Sequence, residues 1–173
     1  HSGGPGAVAA DACDRNGLVL PAIADTTREN LADYVPHTAS VNNPIDLTFT
    51  KRNTDYMDGI ARVLLEDENS DAMLMYLMMP KHSVRRAMEA LGITGEGAEK
   101  ETDDFIDDQA QKTSELMLSA EKPLIGFSYY TGESRFIRGL YEAGAPVFPS
   151  PNRAARALAA LVEYRRLRDK IAG

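Results

Sequence analysis

Three short turns in this sequence carry the residue types that hold anions: Gly3-Gly4-Pro5-Gly6, Met79-Pro80-Lys81-His82-Ser83 and Tyr130-Thr131-Gly132-Glu133-Ser134. Each leads into a stretch with helical spacing. The first turn of a helix offers unpaired backbone amides together with the positive end of the helix dipole. In the first turn, Gly3, Gly4 and Gly6 leave the backbone unshielded, and Pro5 sets φ near its helical value. Glycine serves a tight strand-to-helix connection equally well, so this turn reads either as an anion seat or as a connector. In the second, Pro80 suits a helix start, Lys81 would bring charge and Ser83 a hydroxyl to a phosphate, and His82 is a polar neighbour in the first helical turn. In the third, Gly132, Glu133 and Ser134 precede another helix. A polar loop from Val41 to Leu47 contains Asn43 and Asp46. Side chains of these types satisfy turn amides, so both are expected to brace backbone, with direct substrate contact as the alternative.

The remaining chemistry is sparse. There is no Ser-His-Asp order, Cys-His pair, metal-ligand run or Walker-type glycine loop. The single Cys13 excludes an internal disulfide and, with three histidines, argues against structural zinc. Cys13 itself reads as a small core-facing residue. A net charge of −7 argues against nucleic acid, whose phosphates need a basic face. It leaves room for a phosphorylated small ligand, which feels local dipoles. No apolar run approaches the ~20 residues that span a bilayer, and no signal-peptide pattern appears, so a reducing, cytoplasmic setting is expected. An independent flavodoxin-like redox role is disfavoured, since no loop is Ser/Thr-rich and an aromatic content of 7% offers no evident stacking pair. The residues point to a domain that positions something rather than one that performs a covalent step.

Such turns must be held by alternating helices and strands. The pattern predicts a helix from Pro5 to about Asn16, with Gly17 as its C′ residue, then a short strand Leu18-Val19-Leu20 stopped by Pro21. A helix begins at Asp25-Thr26-Thr27, with Thr26 and Glu29 at capping-box spacing, and ends before Pro36. Ala39 to Thr50 is extended or looped. Asn53 or Thr54 caps a helix with Met57, Ile60, Ala61, Leu64 and Leu65 on one face. The apolar run Ala72 to Met79 reads as a buried parallel strand. There follow a helix Lys81–Leu91, a mobile stretch Gly92–Asp104, an amphipathic helix Asp103–Ala120 and a strand Leu124–Tyr129. A helix ending near Gly144, a short strand Ala145–Phe148 and a helix opened by Pro151 complete the pattern, the last ending in an Arg-rich tail from Arg165 to Lys170.

This order predicts α/β architecture: a three-layer, doubly wound, flavodoxin-like parallel sheet in a single domain over residues 1–173. Four strands are visible where such a sheet wants five. The absent one would be the central strand just before Gly3, which makes the chain look like the downstream part of something longer. An apolar cleft between neighbouring strands is the expected consequence. The acidic segment, about 92–109, reads as a solvated insertion, with a cation site built from Asp103, Asp104, Asp107 and Asp108 as the alternative.

Several blocks in order resemble the NDP-forming acyl-CoA synthetases, the ADP-forming acetate–CoA ligase relatives of succinyl-CoA synthetase. They are Gly3-Gly4-Pro5-Gly6-Ala7-Val8-Ala9-Ala10-Asp11-Ala12 with Gly17-Leu18, then Ala39 to Leu47, and Lys122-Pro123-Leu124-Ile125 with Gly132-Glu133-Ser134. Ala143 to Phe148 and Ser150-Pro151 followed by Arg153 to Leu161 complete the series, which covers most of the chain. The region looks like the second CoA-ligase-type flavodoxin-like domain, the one following the domain that carries the catalytic histidine.

The resemblance implies a parent enzyme that interconverts acyl-CoA, ADP and phosphate with a carboxylic acid, CoA and ATP through an acyl phosphate and a phosphohistidine. It implies CoA, ATP/ADP and Mg as cofactors of the parent and none held tightly by this domain. It implies a small carboxylic acid substrate, no nucleic acid or membrane partner, and sister CoA-binding, histidine-bearing and ATP-grasp domains or subunits, with homo-oligomerisation open. No catalytic residue is expected within this chain; helix N-termini at the matching turns would face the phosphohistidine loop. The Met79–Ser83 turn departs from the glycine-rich version in succinyl-CoA synthetase, and Gly92–Gln109 is longer than the usual family connection. A non-catalytic regulatory or assembly module of the same fold, as in acetyltransferase fusions, is the alternative.

Overall fold

The computed structural model describes residues 3–32, 34–35, 39–47, 57–130 and 132–172. Three parallel strands form the sheet, β1 (Met73–Tyr76), β2 (Leu124–Phe127) and β3 (Val147–Phe148), in the order β1-β2-β3. The register pairs Met73 with Leu124 and Tyr76 with Phe127, then Gly126 with Val147. Seven helices surround it among the described residues: α1 (Gly3–Arg15), α2 (Asp25–Leu31), α3 (Gly59–Leu65), α4 (Lys81–Ala90), α5 (Gly95–Ser119), α6 (Arg135–Glu142) and α7 (Pro151–Ala172).

Successive strand residues point to opposite faces, and both faces are covered by helices. Met75, Leu77 and Leu124 join Ile106, Leu116, Phe136, Ile137 and Leu140 in one core. On the other face Ile125 and Phe127 pack with Ala154 and Leu158 of α7, and Leu74 and Tyr76 lie against the same cluster. Ala12, Cys13 and Ala155 let α1 and α7 approach closely. A third cluster of Leu31, Val35, Leu47 and Ile60 ties α2 and α3 to the polar loop. The result is the expected three-layer α/β sandwich.

Four local expectations differ from what forms. Leu18-Val19-Leu20 is not a strand: the segment has no ladder partner among the described residues, and Val19 is 86% exposed. A strand exists by pairing, and β1, the nearest sheet edge, does not pair with it. The capping box of Thr26 and Glu29 is not built, because the N-cap is Ala24 and Thr26 already lies inside α2. The stretch expected to be mobile, Gly92–Asp104, is mostly helical, since α5 starts at Gly95 and runs 25 residues. Ala98, Thr102 and Ile106 give it a buried face that its acidic composition concealed. Finally α1 starts at Gly3, so the glycines form its first turn, where Pro5 is tolerated because its missing N–H has no helical acceptor. The predicted caps Asn53 and Thr54 lie outside the described residues.

Candidate functional site

The N-termini of α4 and α6 stand at the carboxyl ends of β1 and β2, the rim where ligands of doubly wound sheets gather. Pro80 is the N-cap of α4 and Ser134 that of α6; neither makes a side-chain capping bond. His82 and Ser83 are exposed on α4, as are Gly132 and Glu133 ahead of α6. Lys81 and Arg135 sit at the first helical position of each.

The charges at these two helix starts are answered from within the protein. Lys81 Nζ lies 2.5 Å from Glu99 Oε1 and 2.6 Å from Asp103 Oδ1 on α5. Arg135 donates to Asp103 Oδ2 at 3.0 Å and to both Asp107 oxygens at 2.6 Å, a bidentate pair. Asp103 thus bridges the starts of α4 and α6. The Asp103 and Glu99 carboxylates raise the Lys81 ammonium above its ordinary value. Arg135 holds the Asp107 carboxyl below the usual carboxylate range. Arg85 extends the network to Glu89 and Glu99, and Lys112 pairs with Asp108 and lowers its carboxyl. The acidic run is therefore a set of ion-pair partners, and among the described residues no group of three acidic, His or Cys side chains could hold a metal.

The first turn is answered similarly. A Cβ placed on Gly3 would lie 2.8 Å from Asp46 Oδ2, and one on Gly6 would lie 3.4 Å from Pro44. A carboxylate of the chain's own loop therefore sits against the start of α1, the favourable end for negative charge; Gly4 has open space around it. Ser40 and Asp46 exchange backbone bonds of 2.9 Å across the loop, Asn43 Nδ2 donates to the Pro21 carbonyl at 3.1 Å, and the Asn43–Pro44 peptide is cis. The contacts therefore divide the sequence-selected residues into two groups. Gly3, Gly6 and Asp46 meet at the start of α1, with Asn43 bracing the same loop to Pro21, while Lys81 is joined through Asp103 to the helix that follows Gly132, Glu133 and Ser134.

Two features escaped the sequence reading. Tyr76 and Phe127 stack with centroids 5.3 Å apart, and Tyr129 lies 5.6 Å from Tyr76, so an aromatic cluster does exist beside the strand ends. Burial, then neighbouring Tyr130 and Tyr129, push the Tyr76 phenol up. Asp67 is 1% exposed and accepts from the Ala24 amide at 2.9 Å, the Asn69 amide at 3.0 Å and the Ser70 hydroxyl at 3.3 Å. It fastens the start of α2 to the turn ahead of β1. The i,i+4 spacing of Asp103 and Asp107 was a legible signal for one helical face; nothing local marked Asp67. Burial raises the Cys13 thiol, which keeps it protonated and in its core role.

The family model for the ligase-CoA domain matches residues 1–97, more than half of the chain. The chain belongs to the ligase-CoA domain family. This ligase-CoA domain is 36% identical over 80 residues to the alpha subunit of acetate–CoA ligase [ADP-forming] II of Pyrococcus furiosus, covering 46% of the chain and 17% of the relative. It is 26% identical over 170 residues to acetate–CoA ligase [ADP-forming] I of Archaeoglobus fulgidus, covering 98% of the chain and 21% of the relative. The matched segments thus take in about a fifth of the length of each of these curated relatives. Among solved structures it is similar to PH0766 from Pyrococcus horikoshii OT3, with a TM-score of 0.68, 27% identity, and coverage of 94% of this chain and 33% of that one. The apo form of the dinucleotide-forming acetyl-coenzyme A synthetase 1 of Ca. Korarchaeum cryptofilum shares the fold, with a TM-score of 0.66 at 20% identity over 97% of this chain and 32% of that one. No helix among the described residues is long and apolar enough to cross a membrane.

Proposed function

We propose that the parent of this domain is an ADP-forming acyl-CoA ligase, which interconverts acyl-CoA, ADP and phosphate with a carboxylic acid, CoA and ATP through an acyl phosphate and a phosphohistidine. The family match over residues 1–97 carries this reading, supported by two curated relatives that are ADP-forming acetate–CoA ligases. CoA, ATP/ADP and Mg belong to the parent. The carboxylates of α5 do not fit a magnesium site here, because Lys81, Arg85, Lys112 and Arg135 already neutralise them. The parent works as a soluble protein of the cytoplasm, with sister CoA-binding, histidine-bearing and ATP-grasp units.

Within that assembly the domain has a docking role. The rim formed by the α4 and α6 N-termini faces the phosphohistidine loop, with exposed His82, Ser83, Gly132 and Glu133 at the contact. The ion-pair bridge through Asp103 links the two helix starts within the protein.

The test is to incubate the parent with γ-labelled ATP and magnesium, and then to look for acid-labile, base-stable phosphate discharged by CoA plus short carboxylic acids. Label that forms and is discharged identifies the ligase and its acid. Label that never forms leaves the alternative of a regulatory module on the same fold.

A further inference from the structure

One group of side chains takes no part in the ion-pair network of the rim: the aromatic cluster at the carboxyl ends of the strands. Tyr76 closes β1 and Phe127 closes β2, and Tyr129 and Tyr130 follow on the way to Gly132 and the start of α6. Phe127 is buried and forms the base of the cluster. Its ring stacks on Tyr76 at 5.3 Å between centroids and meets Tyr129 edge-on at 6.1 Å, while Tyr129 lies 5.6 Å from Tyr76. Two side chains then open outward, Tyr129 at 51% exposure and Tyr130 at 38%. The Tyr130 amide donates to the buried Ser128 Oγ at 3.1 Å, which ties the turn to the end of β2. A single exposed aromatic is ordinary on a protein surface, but two in succession on a packed aromatic base form a patch.

The side chains at the two helix starts are polar: Lys81, His82, Ser83, Glu133 and Arg135 carry charge or hydrogen-bonding groups. An apolar group brought to this rim therefore finds its apolar surface at Tyr129 and Tyr130. The reaction proposed for the parent brings such a group, and the inference rests on that reading. When the acyl phosphate passes its phosphoryl group on, the imidazole lone pair attacks phosphorus. The P–O bond breaks, and the carboxylate leaves with that electron pair. The acyl group is then a few ångströms from the histidine loop, within reach of the rim that faces this loop. We infer that Tyr129 and Tyr130, set on Phe127 and Tyr76, form a wall of the acyl site and favour a carboxylic acid with a flat aromatic acyl group over acetate. Tyrosine offers a broad apolar face with few rotatable bonds to fix. An aryl group covers that face and gains offset stacking, which the methyl group of acetate cannot supply.

The test uses the parent protein with γ-labelled ATP, CoA and two acids, acetate and phenylacetate. The quantity read is the ratio of kcat/KM for phenylacetate to that for acetate in thioester formation. A defect in folding or assembly moves both rates together and leaves this ratio in place. Replacing both tyrosines, Tyr129→Ala with Tyr130→Ala, is expected to lower the ratio about tenfold. Tyr129→Phe, which keeps the ring, is expected to hold it within about twofold. An unchanged ratio in the alanine variant overturns the assignment and leaves the tyrosines to the fold or to contact with a sister domain. A loss in the phenylalanine variant as large as in the alanine variant traces the effect to the hydroxyl and also overturns it. So does a parent that ATP labels and that acetate with CoA discharges, but phenylacetate with CoA does not. A parent that ATP never labels fails as a ligase, and the assignment falls with that reading.

Discussion

Replacing Asp67 with alanine removes the acceptor that joins three parts of the chain. Its carboxylate receives the Ala24 amide from 43 residues away, the Asn69 amide and the Ser70 hydroxyl, with Thr27 as a further donor. Ala24 is 7% exposed, so its N–H has no ready water once the carboxylate is gone. Hydrogen bonds to a charged group contribute about 1.5–3 kcal/mol, and a stranded buried donor adds about 1–3 kcal/mol of desolvation cost. Because these donors partly find one another or water, the expected loss for Asp67→Ala is about 3–4 kcal/mol. Asp67→Asn, which keeps the shape and one acceptor oxygen, should lose about 1–2 kcal/mol. Urea denaturation followed by circular dichroism measures both. With a slope of about 2 kcal/mol/M, the alanine variant's midpoint should fall by about 1.5–2 M.

The pH dependence supplies an independent check. Burial alone would raise the Asp67 carboxyl, but the bonds from Thr27, Ala24, Asn69 and Ser70 outweigh it and hold the group below the ordinary value. A depressed folded value means the stabilisation is fully present above the unfolded carboxylate value, near 3.9, and is lost as pH falls through the lower folded value. Asp107 and Asp108 shift the same way, so the Asp67 share is the difference between the wild type and Asp67→Asn. That difference should shrink only under acid conditions. An alanine variant as stable as wild type, or a difference constant down through the acid range, refutes the reasoning.

Other perturbations separate packing from electrostatics. A Cβ on Gly126 would stand 3.2 Å from Val147 Cγ2 and closer still to Leu77 Cδ1, so Gly126→Ala should cost about 1–3 kcal/mol and lower the melting temperature; an unchanged melt refutes this. Arg135→Ala breaks the bridge to Asp103 and Asp107, yet the side chain is 37% exposed, so the loss should be at most about 1 kcal/mol. That loss should shrink with added salt, and a salt-independent one would place the role of Arg135 in packing. In the parent, Lys81→Ala should slow phosphoryl exchange by loosening the α4 rim, with the overall fold retained by circular dichroism. An unchanged exchange rate removes Lys81 from the site.

Much of this domain was legible in the sequence because periodicity and punctuation are local. The buried strand around Met75, the helix opened by Pro151, the alternation that makes an α/β sandwich, and the blocks shared with CoA ligases all lie within short windows. Pairing is not local. Whether Leu18–Leu20 becomes a strand depends on a neighbour that must lie alongside it, and the ladder partner is missing among the described residues. Nor does composition reveal which charges meet. Asp103, Glu99 and Asp107 read as a solvated acidic run until α5 packs beside α4 and α6 and sets them against Lys81 and Arg135. The first turn behaves likewise: glycines at a helix start invite an anion, and only the fold shows Asp46 filling that place. The sequence by itself determined most of the element types, the family and the positions of the turns. The tertiary structure alone decided which of those turns face one another and which charges remain for a partner, because Coulomb and hydrogen-bond energies depend on through-space distances that chain separation does not set.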